Sequence, residues 1–185
     1  MQVSGHFYIP DRGNHSKKEI YSNPGDMRFI VDANAGKLAK WLRLLGHDAR
    51  FFDGADDAEL ISTALKEARV ILTRDTHIME WGIVSRGQVK AILIHDDNDE
   101  VQVRQVISEL KLENELKPFT ICLECNEPLF HMDRADVEHK VPPYVYQTQD
   151  QFVECLKCHR IYWRGTHWQG MMKKLERVVE VDRFQ

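Results

Sequence analysis

The four cysteines of this 185-residue chain fall into two pairs of identical spacing, Cys122-Leu-Glu-Cys125 and Cys155-Leu-Lys-Cys158. Two such knuckles supply four soft thiolates, the ligand set of a tetrahedral structural zinc site, and leave no cysteine over. A second set of chemistry-bearing residues is acidic. The apolar runs RFIVD (28–32) and VILTRD (70–75) end in Asp32 and Asp75, Asp53 follows DARFF, and Asp96 and Asp97 follow VKAILIH. Asp56, Asp57 and Glu59 open a further periodic stretch. Carboxylates brought within a few ångströms raise one another's pKa unless a cation lies between them, and Mg²⁺ or Mn²⁺ is the hard, oxygen-seeking ion for that role. Asp32, Asp75 and Asp57 lead as ligands, with Asp56, Glu59, Asp96 and Asp97 as accessory candidates. Each also has a local use: Asp75 can cap the helix after it, and Asp56 with Glu59 has the spacing of a capping arrangement.

The elements that must position these groups alternate. After RFIVD, Leu38, Trp41, Leu42 and Leu45 recur at helical spacing up to Gly46. Residues 48–52 read as a strand and 56–68 as a helix with Leu60, Ile61, Ala64 and Leu65 inward. VILT (70–73) is a strand, 76–84 a weaker helix, 89–95 a fourth strand, and 99–112 a helix through Val103, Val106, Ile107 and Leu110. Such β-α alternation predicts an α/β fold with a mainly parallel sheet and helices on both faces, whose ligands sit beyond the carboxyl ends of the strands. Those are the ends that carry the aspartates. No glycine-rich dinucleotide or P-loop fingerprint follows the first strand.

Residues 126–154 separate the knuckles, a span that suits a zinc ribbon with a long hairpin loop turning at Pro142-Pro143. A module with so little apolar content needs the metal as a staple. Cys155 to His159 also matches the haem attachment pattern, but no signal peptide is evident, so neither haem nor disulfides are expected and His159 is simply the residue after a ligand. The chain is expected to be cytoplasmic, without a membrane segment.

The net charge of −4 argues against indiscriminate nucleic-acid binding, so any such contact needs a local patch. Lys37, Lys40 and Arg43 share one face of the first helix, read either as a solvated face or as a phosphate-steering patch. Near the C-terminus, Lys157, Arg160, Arg164, Lys173, Lys174 and Arg177 alternate with Tyr162, Trp163, His167 and Trp168. Arg164, His167 and Trp168 are candidates for single-stranded RNA, with core packing of the aromatics as the other reading.

VDANAGKLAKWLRLLGHDA, ILTRD, CLECN and CLKCHRIYWRGTHW together resemble the Mut-7 C-terminal RNase domain family, over roughly residues 28–172. The resemblance implies a PIN-like α/β/α sandwich fused to a zinc ribbon, with acidic residues holding divalent metal for RNA phosphodiester hydrolysis. It maps Asp32 to the first-strand aspartate, Asp75 to the TRD motif, and Asp57 to the acidic position of the second helix, the doublet leaving Asp56 as the other choice. Gly165-Thr166-His167 replaces the family's more frequent Gly-Ser-His and keeps the hydroxyl. The fourth acidic position of PIN nucleases has several matches in HDDND and none fixed by spacing.

The expected organisation is an arm over 1–26, a PIN-like domain over 27–116, a zinc ribbon over 117–170 and a helix and tail over 171–185. The leading functional expectation is a metal-dependent endoribonuclease with structural zinc and catalytic Mg²⁺ or Mn²⁺. The alternatives are a non-catalytic RNA- or ribosome-associated binding module and a small-molecule phosphatase. Protein partners are not specified by the sequence.

Overall fold

The computed structural model describes residues 27–180, the side chains of His167, Val179 and Glu180 aside; the expected arm over 1–26 and the tail over 181–185 lie outside it. The first half alternates as the periodicity predicts. In order come β1 (Arg28–Asp32), a 3-10 turn (Ala33–Ala35), α1 (Gly36–Leu44), β2 (Ala49–Phe52), α2 (Asp57–Glu67), β3 (Arg69–Thr73), α3 (Thr76–Glu80), α4 (Gly82–Ser85), β4 (Ala91–Leu93) and α5 (Asp99–Leu110). The four strands form a parallel sheet in the order β2-β1-β3-β4.

Successive strand residues point to opposite faces. Phe29, Val31, Val70 and Leu72 therefore join a core with Leu38 and Leu42 of α1 and Val103, Val106 and Ile107 of α5. Ile30 and Ile71 point the other way, into a second core with Leu60, Ile61 and Ala64 of α2 and Ile78 of α3. The result is the expected α/β/α sandwich, in which truncating one such buried leucine to alanine costs about 2–5 kcal/mol.

Four local expectations are corrected. Leu65 is 52% exposed; at about 100° per residue it lies about 90° from the centre of the stripe that Leu60, Ile61 and Ala64 define. The helix expected over 76–84 breaks at Trp81, whose ψ of 131° is extended, into α3 and α4. The fourth strand is shorter than 89–95, although Val89 and Ile94 are still buried. Pro142-Pro143 does not turn a bare hairpin loop: Pro143 occupies the first turn of a helix, where its missing N–H has no intrahelical partner to lose.

The second half begins with β5 (Leu129–Met132), α6 (Arg134–Val137), α7 (Pro143–Thr148), β6 (Phe152–Cys155) and β7 (Ile161–Trp163), the strands forming an antiparallel sheet in the order β5-β6-β7. The segment between β5 and β6 has its own small core of Met132, Val137, Val141, Val145 and Phe152. α8 (Thr166–Glu180) then returns to the sandwich, starting before the boundary expected at 171, and buries Leu175 and Val178 beside α1 and α5. Lys173, Lys174 and Arg177 stay exposed. Where the chain enters this half, Gly46 has φ +91° and a Cβ there would lie 2.2 Å from the Lys117 carbonyl oxygen, so only glycine fits. Among the described residues no helix is long and apolar enough to cross a membrane.

Candidate active site and metal centre

β1 and β3 are neighbours, yet β1 leads into α1 on one face and β3 into α3 on the other. The chain thus leaves two adjacent strands in opposite directions, which opens a crevice at their carboxyl ends. The register Val31↔Leu72 places Asp32 beside Thr73 there, both on the face of Ile30 and Ile71. Thr73 is fully buried; its hydroxyl donates to Asp32 Oδ2 at 2.7 Å and accepts the Asp75 backbone N–H at 3.0 Å. One hydroxyl therefore joins the two leading carboxylate residues. Asn34 adds a second tie, its Oδ1 accepting the Arg74 backbone N–H at 2.9 Å.

Several of these carboxylates also have local duties. Asp75 caps α3 by accepting the His77 N–H at 2.8 Å, and Asp56 caps α2 by accepting the Ala58 N–H at 2.9 Å. Asp57 follows as the first residue of α2, partly buried and on the helix layer that Asp32 faces. Glu59 and Asp53 are exposed. Asp96 accepts the Asn98 N–H at 2.7 Å, and Asp97 pairs with Arg74. Among the described residues, the cysteines are the one set of three or more ligating side chains that closes on a point; the acidic groups do not form such a set. Beside Asp75 lies an open cleft of about 500 Å³, lined also by Asn34, Arg74, Thr76 and His95 over Leu93.

Sequence reading passed over Thr73 and Asn34. The alternation of β3 carried the signal for Thr73, since it puts that residue on the same face as the buried Ile71.

The four cysteine sulfurs lie within 4.8 Å of one another. A tetrahedral ion with metal–sulfur bonds of about 2.3 Å demands sulfur–sulfur edges of about 3.8 Å, and Cys122 Sγ is 3.8 Å from Cys158 Sγ. The residues present fit such an ion. Both knuckles close alike: the N–H of Asn126 bonds to the Cys122 carbonyl at 3.0 Å, and that of His159 to the Cys155 carbonyl at 2.8 Å. Asn126 and His159 have φ of 59° and 57°, the left-handed region in which both types are enriched. His159 is thus a knuckle-closing residue whose ring contacts Glu154 at 3.1 Å.

Burial pushes the Cys122 thiol up, but hydrogen bonds from the Tyr162 hydroxyl at 3.1 Å and from the Cys125 and Glu124 N–H groups outweigh it and bring the thiol down to about 7. Burial and the neighbouring thiols push Cys125 up to about 12. A cation bound among the four sulfurs would favour the thiolate form of each.

The first knuckle is bolted to the sandwich. Asn126 accepts the Ala49 N–H of β2 at 2.8 Å and donates to Asp48, which also takes two hydrogen bonds from Arg69, at 2.7 and 3.0 Å. Arg43 is 7% exposed, and its guanidinium donates to the carbonyls of Ala49, Leu123 and Glu124 at 2.8, 2.8 and 3.1 Å. Lys40 pairs with Glu124 at 3.0 Å and Lys37 with Asp99 at 3.5 Å. The basic face expected of α1 is therefore divided: Lys37 and Lys40 are exposed, whereas Arg43 is an interior strut. In the C-terminal patch, the Arg164 guanidinium sits 5.4 Å over the Trp168 ring, which also packs against Phe119. The side chain of His167 lies outside the described residues.

Compared with known families, the chain matches the family described as Mut7-C RNAse domain over residues 27–175. Searches of curated proteins and of solved structures return no match.

Proposed function

The chain belongs to the Mut7-C RNAse domain family, and from that premise we propose that it is a metal-dependent endoribonuclease whose reaction takes place at the Asp32–Thr73–Asp75 seam. The observation that carries the reading is the shared Thr73 hydroxyl, which holds two aspartate-bearing strand ends together at the switch point of the sheet. Mg²⁺ and Mn²⁺ are bound through one or two carboxylates plus substrate phosphates and keep several waters, so Asp32 and Asp75 suffice as protein ligands for one ion, with Asp57 as a further candidate. Such an ion supplies Lewis-acid chemistry, lowering the pKa of water and offsetting charge on phosphate oxygens. Thr73 fixes the orientation of Asp32 by donating to Oδ2, leaving Oδ1 for a ligand. The Asp75 carboxylate is held by its cap, where one oxygen accepts the His77 N–H and the other is available.

The cysteine cluster would hold one structural zinc ion through Cys122, Cys125, Cys155 and Cys158. The ribbon would contribute RNA contacts through Arg164, His167 and Trp168, with Lys37 and Lys40 as exposed cations on α1.

The absence of a three-carboxylate set among the described residues favours a second reading, an RNA-binding module without catalysis. Incubating wild type and Asp32→Asn with defined single-stranded and structured RNAs, with Mn²⁺ or with chelator, separates the two. The nuclease reading expects Mn²⁺-dependent internal cleavage that falls by about a hundredfold or more in the variant, while RNA affinity is kept. Cleavage in excess chelator, or wild-type rates from Asp32→Asn, would exclude it; RNA binding with no cleavage under any condition would leave the binding module.

A further inference from the structure

We propose that the cleft beside Asp75 is a subsite for a backbone phosphate of the RNA strand, with Arg74 as its anion ligand and Asp97 as a latch that holds Arg74 until RNA displaces it. The identity of the polyanion rests on the ribonuclease reading above. The anion site itself rests on the cleft.

A sheet edge carrying Asp32, Asp57 and Asp75 repels a polyanion, and a chain of net charge −4 does not offset that globally. A cation must stand next to the acids. Arg74 directly precedes Asp75 and lines the same open cleft. Its backbone is fixed by Asn34, so the origin of the side chain is rigid. His95 also lines the cleft, and Gln105 clamps the strand end there by accepting the His95 N–H at 3.3 Å and donating to the Leu93 carbonyl at 2.8 Å. The cleft thus has an acid on one wall and nitrogen donors around it, the distribution a phosphodiester beside a metal-binding carboxylate requires.

Arg74 is held more loosely than either Arg43 or Arg69. Arg43 is tied to three carbonyls, and Arg69, 9% exposed at its side chain, is shared between Asp48 and Glu67. Neither can leave its partners without stranding buried groups. Arg74 pairs with Asp97, an acid whose side chain is 86% exposed on the loop before α5. Ion pairs with acids so open to water contribute little, whereas a phosphate offers the guanidinium two charge-assisted hydrogen bonds in matching geometry. Exchange of Asp97 for phosphate is therefore downhill, and Asp97 returns to water. The same pairing explains why an acid at the end of β4 need not be a metal ligand.

The test is a double-variant cycle on the full chain. Binding of a short fluorescein-labelled single-stranded RNA to the zinc-loaded protein is followed by anisotropy with Mg²⁺ and Mn²⁺ omitted, so that nothing is cleaved, across a series of salt concentrations. Arg74→Ala is expected to weaken binding about tenfold at low salt and to reduce the salt slope by about one. Asp97→Asn is expected to tighten binding a few-fold, and that gain should vanish when Arg74→Ala is also present, because the latch then has nothing to hold. Arg74→Gln, with circular dichroism on every variant, stands in if the alanine protein fails to fold. Wild-type affinity and slope in the Arg74 variants, an equal Asp97→Asn gain with and without Arg74, or no RNA binding by the wild type would overturn the proposal. Failure of the ribonuclease reading looks different: RNA is then bound in an Arg74-dependent way and is never cut in Mn²⁺.

Discussion

The cysteine cluster and the acidic edge both draw residues of metal-ligating type from separate chain segments, but they are assembled by different means. The four thiols are local to two turns of the same shape, each closed by a left-handed residue, and the turns are carried by one antiparallel sheet. The acids arrive from three different strand-to-helix junctions, and the lone pairs of Asp56 and Asp75 are partly engaged as helix caps. A cluster built from a repeated turn is complete in itself. A cluster built from a sheet edge is completed by whatever fills the crevice. On the proposed reading, that difference also separates a closed structural site from an open reactive one, since only the second must admit substrate.

The largest effect that would break this comparison is loss of the cysteine site. Cys155→Ser should remove about one zinc per chain by elemental analysis, and the roughly 10 kcal/mol or more that structural zinc supplies to folding should vanish with it. Hydrogen exchange should then show protection lost across residues 117–168 and retained in β1 to β4; retained protection across the ribbon in zinc-free protein would contradict the self-contained closed site.

Arg43 comes next, because it joins the two regions. Arg43→Ala leaves the Leu123 and Glu124 carbonyls without their buried donor and should lower stability by about 3 kcal/mol in denaturant melts, while Lys37→Ala changes it by no more than about 0.5 kcal/mol. Equal effects from both would return Arg43 to the surface face on which its spacing first placed it.

A smaller effect is expected at Thr73. Thr73→Val keeps the shape and removes the hydroxyl shared by Asp32 and Asp75, and should reduce turnover about tenfold, or roughly 1.4 kcal/mol, with KM for RNA little changed. Thr73→Ser should restore it. A serine variant as impaired as valine would assign the residue to packing alone.

The sequence made these sites legible to different depths. Identical spacing exposed the four clustered cysteines, because a knuckle is a local motif that needs no knowledge of the rest of the fold. The acids were legible as strand ends, since an apolar run followed by a periodic helix fixes which end of the strand they occupy. The face of Thr73 was legible from the alternation of β3, but its role was not, because that depends on which strand lies next to β1, and pairing order is a tertiary fact. Arg43 was misplaced for the same reason: its three-residue spacing from Lys40 is a property of α1, whereas its burial is a property of the ribbon that docks there. The helices of the loop between β5 and β6 escaped because they are short and rest on a separate small core.

The smallest expected effect is electrostatic. The hydrogen bond from Arg69 holds Glu67 below the usual carboxylate range. Its folded pKa lies under its unfolded one, so its contribution is complete above the unfolded value of about 4.3 and is lost as pH falls through the folded value. Glu67→Gln should flatten the acid limb of the stability curve by no more than about 1 kcal/mol, the group being partly exposed. A variant whose acid limb overlays that of the wild type would remove Glu67 from the electrostatics of the junction.

The central claim, that the sheet edge and not the ribbon holds the catalytic cation, is tested most directly by Mn²⁺ binding in zinc-loaded protein, followed by electron paramagnetic resonance. The account predicts that wild type binds Mn²⁺, that Asp32→Asn and Asp75→Asn each weaken it by about tenfold or more, and that Asp96→Asn, whose carboxylate belongs to the turn before α5, does not. Undiminished Mn²⁺ binding in both the Asp32 and Asp75 variants would contradict it.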